Sequence, residues 1–273
     1  MAETRELESG HEKPSVTRLA ITGKGGVGKT TLASVLAYLY AHAGRRVLAI
    51  DADPAAGLGS ALGFPTELAA QAAPIAEMDE LIYERTGAQP GTIGGWFKLN
   101  PRVDDIPDRF SANYRGVRLL RLGTVRSGGS GCLCPENALL RALVMHLVLR
   151  RDEVVILDME AGLEHLGRAT ASGVDAMLVV VEPGRRSLDT AARIQVLANE
   201  IGLSRVYVVG NKVRHQADRD FIRELAPPDI PVLGFLPFDP QVIEADMRGV
   251  AVYDVAPATV EASRAIWERL EAN

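Results

Sequence analysis

Gly23-Lys-Gly-Gly-Val-Gly-Lys-Thr30 fits the pattern G-x-x-x-x-G-K-[ST] at every fixed position. It follows a short apolar run at 16–22 and precedes a helix-compatible stretch at 29–43 that stops before Gly44, so it is the bend of a strand, loop and helix unit. Each residue type has a reason. Glycines let backbone N–H groups turn inward around an anion, the start of a helix adds positive potential, Lys29 reaches terminal phosphates and Thr30 reaches magnesium. Gly23, Lys24, Gly25, Gly26, Val27, Gly28, Lys29, Thr30 and Thr31 are the expected cradle for ATP or GTP with Mg2+. Lys24, a second lysine inside the loop, is expected to serve the phosphates as well. A nicotinamide loop is disfavoured, because Lys29 and Thr30 suit phosphates with a metal better than a dinucleotide bridge.

Outward from the loop, the chain repeats the same rhythm. Residues 46–50 read as a buried strand that delivers Asp51 and Asp53 at its carboxyl end, and 154–157 deliver Asp158 in the same way. Further strands are expected at 117–122, 176–181, 206–209 and 232–236, with helices at 136–149, 188–200, 216–225, 240–247 and 258–270. Buried strands separated by helices describe an α/β fold with a doubly wound, mostly parallel sheet and helices on both faces. Ligands in such sheets sit at the carboxyl ends of the strands, where the loop and the aspartates lie. Asp158 is the expected Walker B carboxylate. Asp51 and Asp53 are expected to position magnesium and to orient an attacking water; each taken singly also reads as an ordinary strand-end carboxylate.

One domain over 16–273 is expected, after a polar tail at 1–15 with no apolar period. The stretch 89–113, rich in Gly, Pro, Asn and Asp, breaks the rhythm. It reads either as a surface excursion anchored by Trp96 and Phe97 or as a partner-binding segment. Composition is ordinary for a globular chain, 47% hydrophobic and 24% charged. With 30 basic and 35 acidic residues the net charge of −5 gives no general attraction to nucleic acid or anionic lipid. No 18-residue apolar run occurs and the start lacks a signal peptide's apolar core, so a cytoplasmic protein with reduced thiols is expected.

Cys132 and Cys134 are the chain's two cysteines. They stand between a glycine-rich stretch and Pro135, which suits the first turn of a helix, and a helix start lowers a nearby thiol pKa. Two thiols two residues apart can share a soft metal, but an all-thiolate four-coordinate site then needs a second copy of the chain. Two small apolar side chains is the other reading. His165, just after Asp158-Met-Glu-Ala-Gly162, is either structural or part of a nucleotide-responsive loop.

Lys24-Gly-Gly-Val-Gly-Lys-Thr-Thr31 resembles the deviant P-loop of the ATPase family that includes the septum-site and partition ATPases, the arsenite-pump ATPase and the nitrogenase iron protein. The resemblance implies that Lys24 contacts the phosphates of a partner subunit, so that ATP promotes a homodimer holding two nucleotides. Within that family the chain is most similar to the accessory ATPases of carbon monoxide dehydrogenase maturation, the CooC type. Gly129-Ser-Gly-Cys-Leu-Cys-Pro-Glu-Asn137, Asp158-Met-Glu-Ala-Gly-Leu-Glu-His-Leu-Gly167 and the segment 97–110 carry this likeness, which extends over 16–270. It implies that Thr30 and Asp51 hold magnesium, Asp53 activates water, Asp158 is the Walker B residue, Asn211 contacts adenine and Pro237 lines the base. It further implies that Cys132 and Cys134 bind Ni2+, or Zn2+ in competition, across the dimer, for insertion into carbon monoxide dehydrogenase or a related nickel enzyme.

Three other functions share the nucleotide site. A partition ATPase should show a basic DNA-facing surface, of which the net charge gives no hint. A membrane-positioning ATPase should end in a basic amphipathic helix, whereas the last thirteen residues carry more acids than bases. An electron-transfer ATPase with an intersubunit iron–sulfur cluster would also place thiolates on the dimer axis.

Overall fold

The computed structural model describes residues 16–91, 96–124, 134–150, 153–161 and 173–272. The described strands form one eight-stranded sheet in the order β3-β4-β2-β5-β1-β6-β7-β8. They are β1 Arg18–Thr22, β2 Val47–Ala52, β3 Ala112–Tyr114, β4 Val117–Arg121, β5 Val154–Met159, β6 Ala176–Val181, β7 Val206–Val213 and β8 Val232–Pro237. All neighbours run parallel except β3 and β4. β2, β5 and β6 are buried at every position, which is why they read as unbroken apolar runs rather than alternating ones.

The pleat divides each strand between two cores. Leu19 and Ile21 pack with α1 (Lys29–His42) on one face, and Ala20 packs on the other. The first face also carries α2 (Leu58–Ala61), α3 (Thr66–Ala69), α9 (Pro240–Arg248), α10 (Val252–Val255) and α11 (Pro257–Ala272). On the second face lie α4 (Asp79–Thr86), α5 (Ile106–Phe110), α6 (Pro135–Arg150), α7 (Arg185–Ile201) and α8 (Gln216–Leu225). Because β1 sits between β5 and β6, later strands depart on both sides of it. The crevice at its carboxyl end is the topological switch point where such sheets bind ligands.

The expected fold class stands, and each expected strand and helix is present with small shifts at its ends. The excursion is more ordered than its composition suggests: it ends in α5 and the start of β3. Of the two aromatics expected to anchor it, Trp96 is 100% exposed and Phe97 is half-buried. Val103 and Ile106 are buried, Lys98 N–H donates to the Thr86 carbonyl at 2.8 Å, and Arg85 Nη2 binds Asp105 Oδ2 at 2.7 Å. The tail, Cys132 and His165 lie outside the described residues. No helix among the described residues is long and apolar enough to cross a membrane.

Candidate functional site

The loop between β1 and α1 is held in shape from both sides. Gly23 has φ +147°, and a Cβ there would collide with the Val180 carbonyl oxygen of β6. Gly28, the residue before α1, has φ +96°, and a Cβ there would strike Asn211 Nδ2. Both positions thus require glycine for conformation and for space. Val27 is fully buried and pins the middle of the loop to the core. Gly28 already accepts the first helical bond, from Leu32 N–H at 3.2 Å.

Two side chains from the end of β7 fasten the loop's carbonyls. Asn211 Nδ2 donates to Val27 O at 2.7 Å, and Lys212 Nζ donates to Gly26 O at 2.6 Å. In a trans peptide the C=O and the following N–H point in opposite directions. Drawing these carbonyls toward β7 turns the N–H groups of Val27 and Gly28 away from it. Lys212 also meets Glu182 Oε2, just beyond β6, at 3.1 Å, and Asn211 Oδ1 accepts from Lys212 N–H at 2.8 Å. Lys212 has φ +56°, an uncommon backbone for a residue with a Cβ. Asn211, the expected adenine contact, thus has a protein partner at each end of its amide. The roles of Lys212 and Glu182 carried no sequence signal beyond their places at strand ends.

The cation side is built by β2, β5 and α1. Asp51 and Asp158 are register partners in adjacent parallel strands, and Thr30 Oγ1 donates to Asp158 Oδ2 at 2.6 Å. Asp51 Oδ2 accepts from Leu58 N–H at 3.1 Å. Their other oxygens, Asp51 Oδ1 and Asp158 Oδ1, are buried with no hydrogen-bond partner in the protein. Burial pushes the Asp158 carboxyl up to about 7, helped by the charge of Asp51 and opposed by the Thr30 hydrogen bond and Lys29. Burial likewise pushes Asp51 up to about 6, against the hydrogen bonds from Leu58 and Asp53 backbone. Two orphaned buried carboxylate oxygens beside a hydroxyl are a donor set that Mg2+ would satisfy, completing its oxygens from phosphate and water. The residues fit the ion.

Lys29, 4% exposed, reaches Asp53 Oδ2 at 3.2 Å, and Asp53 Oδ1 accepts from Ala55 N–H at 2.9 Å. The lysine expected at phosphate and the carboxylate expected at water thus lie side by side. Lys24 is half-buried on the same loop, and Pro237 is half-buried at the end of β8. Cys134 is buried, 2% exposed, immediately before α6. Among the described residues no group of three His, Cys, Asp or Glu side chains is placed to hold a metal.

The fold and this site define a P-loop protein that binds and hydrolyses ATP. The chain belongs to the family described as CobQ/CobB/MinD/ParA nucleotide binding domain, which matches residues 19–252. It is 46% identical over 253 residues to the carbon monoxide dehydrogenase accessory protein CooC of Rhodospirillum rubrum, covering 93% of this chain and 95% of that one. It is equally 46% identical, over 234 residues, to an uncharacterized ATP-binding protein of Methanocaldococcus jannaschii, covering 85% and 89%. Among solved structures it superimposes on a ParA family ATPase from Chlorobium tepidum TLS with TM-score 0.65 at 19% identity, covering 94% and 99%. The MinD cell division protein of Aquifex aeolicus gives TM-score 0.63 at 21% identity, covering 94% and 97%. These structural likenesses show the fold.

Proposed function

We propose that this chain is an ATP-dependent, dimerising metallochaperone that serves nickel insertion into carbon monoxide dehydrogenase or a related nickel enzyme. One observation carries the reading: a chain with a complete phosphate and cation site is 46% identical to CooC across 93% of its length. Lys29 binds the terminal phosphates and Lys24 reaches those of a second subunit. Thr30, Asp51 and Asp158 would hold magnesium, which supplies charge neutralisation on the phosphates when bound. Asp53, released from Lys29 as that lysine turns to phosphate, orients the attacking water, and intrinsic turnover is slow. Cys132 and Cys134 from two subunits hold the cargo ion, Ni2+ with Zn2+ as competitor.

The burial of Cys134 adds a condition. Its thiol cannot meet a second subunit's from its present place, so the start of α6 must turn outward when the subunits pair. Binding energy released by nucleotide at the interface is the natural source of that work.

The decisive measurement is a metal titration of the full chain with magnesium and ADP, and with a nonhydrolysable ATP analogue. About one ion per dimer is expected, in the ATP-analogue state and lost with Cys132→Ala or Cys134→Ala. One tightly held ion per monomer that survives loss of both cysteines defeats the shared site. Visible cluster absorption after reconstitution with iron and sulfide would favour the electron-transfer ATPase.

A partition or positioning role is the second reading, favoured by the fold shared with MinD and ParA proteins. Nucleotide-dependent binding of duplex DNA or anionic vesicles, with no cysteine-dependent metal, would establish it in place of the first.

A further inference from the structure

The register of β1 with β5 ends at Ile21 opposite Asp158, and β5 itself ends at Met159. Beyond that point a side chain takes over. Thr22 Oγ1 donates to the Glu160 carbonyl at 2.7 Å. Thr22 is the last residue of β1, is fully buried, and adjoins Gly23, where the phosphate loop begins. Leu19 and Ile21 take the α1 face and Ala20 the other, so by alternation Thr22 points to the face away from α1. The chain leaving β5 is thereby drawn toward the end of β1 and the root of the loop. Asp158 is thus held in three ways: its main chain between Ile21 and Asp51, its carboxylate by the Thr30 hydroxyl, and the residues after it by the Thr22 hydroxyl. A buried strand has no need of that hydroxyl for packing. Valine has the same shape, favours strands and brings no polar group that burial obliges the protein to pair. Glu160 is an exposed residue, for which water is an alternative partner. What threonine alone supplies is a fixed course for the two residues that follow Asp158.

We infer that Thr22 is a positioning residue for the cation: by tying the Glu160 carbonyl to the root of the phosphate loop, it keeps Asp158 in register with that loop, so that metal and phosphates are bound as one unit. The inference rests on the reading that Asp158 holds magnesium. Without the hydroxyl, the loop keeps its fastenings to Asn211 and Lys212, so nucleotide in the absence of metal is held as before. The end of β5 loosens instead, because the last pair of a ladder opens at the least cost once its neighbour is gone. The carboxylate two residues from the lost bond then spends less time at the distance a small, hard cation demands. Metal affinity is therefore the property that suffers.

The probe is Mn2+, whose free ion gives an electron paramagnetic resonance signal that is lost on binding, titrated into the full chain with a nonhydrolysable ATP analogue. In Thr22→Val the manganese dissociation constant should rise about fivefold, the worth of one neutral hydrogen bond. Thr22→Ser keeps the hydroxyl and should recover most of the loss. Affinity for the analogue without metal should be the same in all three proteins. Hydrogen exchange, read on the peptide covering 154–161, should be faster in Thr22→Val and near normal in Thr22→Ser, while the melting temperature of Thr22→Val does not fall. Manganese affinity unchanged in Thr22→Val, or lowered equally in Thr22→Ser, would overturn the proposal, as would a loss of metal-free nucleotide affinity equal to the loss for manganese. Asp158→Asn in the same titration separates the two readings. If it keeps the wild-type metal affinity, the magnesium assignment falls and the proposal with it; if it loses metal while Thr22→Val does not, the tether alone is overturned.

Discussion

Lys212 keeps a left-handed backbone at φ +56° while its ammonium bridges Gly26 O and Glu182. A non-glycine residue in that region costs of order 1 kcal/mol and persists only where surroundings hold it. Here the return is a phosphate loop whose carbonyls are tied down. Lys212→Met should therefore raise the dissociation constant for ATP about tenfold, the value of one charge-assisted hydrogen bond, with Lys212→Arg recovering most of it. Equilibrium titration with a fluorescent ATP analogue reads this; unchanged affinity in Lys212→Met would remove the lysine from the loop's support. Asp53 makes a different case. If Asp53, which lies beside Lys29, orients the attacking water as proposed, Asp53→Ala should lower steady-state turnover a hundredfold or so with little change in nucleotide affinity. Hydrolysis at the wild-type rate would exclude it. The glycines, lysines and aspartates of this site were legible because their spacing is set by one loop and two strand ends. The clasp from Asn211, Lys212 and Glu182 was not, because it depends on where three separate strand ends point their side chains.

At the scale of elements, α4 and α5 are joined by Arg85 and Asp105, whose oxygen also takes Arg109 Nη1 at 3.0 Å. The Arg85 guanidinium holds the Asp105 carboxyl well below the usual carboxylate range. Its ionised form is therefore favoured in the folded chain, so the contribution to stability is full above the unfolded value of about 3.9 and is lost as pH falls below it. Arg85→Met should lower the melting temperature at pH 7, by an amount corresponding to about 1 kcal/mol, and the two curves should converge as pH falls below the carboxylate range. A constant difference at all pH values would assign the loss to packing instead. These elements are also where sequence reading was weakest. α2, α3 and α5 have four or five residues and β3 has three, too few for a period to declare itself. α1, α7 and α11, at fourteen to seventeen residues, declared themselves. Trp96 shows the other limit: its size and hydrophobicity suggest an anchor, yet it is exposed, whereas Val103 and Ile106 are buried and Arg85 pairs with Asp105.

For the whole molecule, sheet order decides what meets what. Placing β1 between β5 and β6 brings the loop, Asp51 and Asp158 to one crevice, and leaves Lys24 on an accessible rim. If Lys24 reaches the phosphates of a second subunit, ATP binds the dimer more tightly than the monomer and pulls association by that difference. Sedimentation of the wild type with a nonhydrolysable ATP analogue should show a dimer, and Lys24→Ala should remain monomeric at the same concentration. Equal dimerisation of the mutant would sink that role. The fold class was legible at this scale because parallel strands covered on both sides leave an unmistakable apolar signature. The sheet's order was not, since nothing in a strand's own residues names its neighbours.

The pairing of Asp51 with Asp158 reaches further. Because they sit opposite one another in hydrogen-bonded strands, their main chains are held at the interstrand spacing of about 4.8 Å. That distance is a property of the peptide lattice, which no repacking of helices can stretch. The gauge of the magnesium seat is thus insulated from whatever befalls the outer surface, and descendants of this sequence can lengthen the excursion or exchange surface residues without retuning the engine.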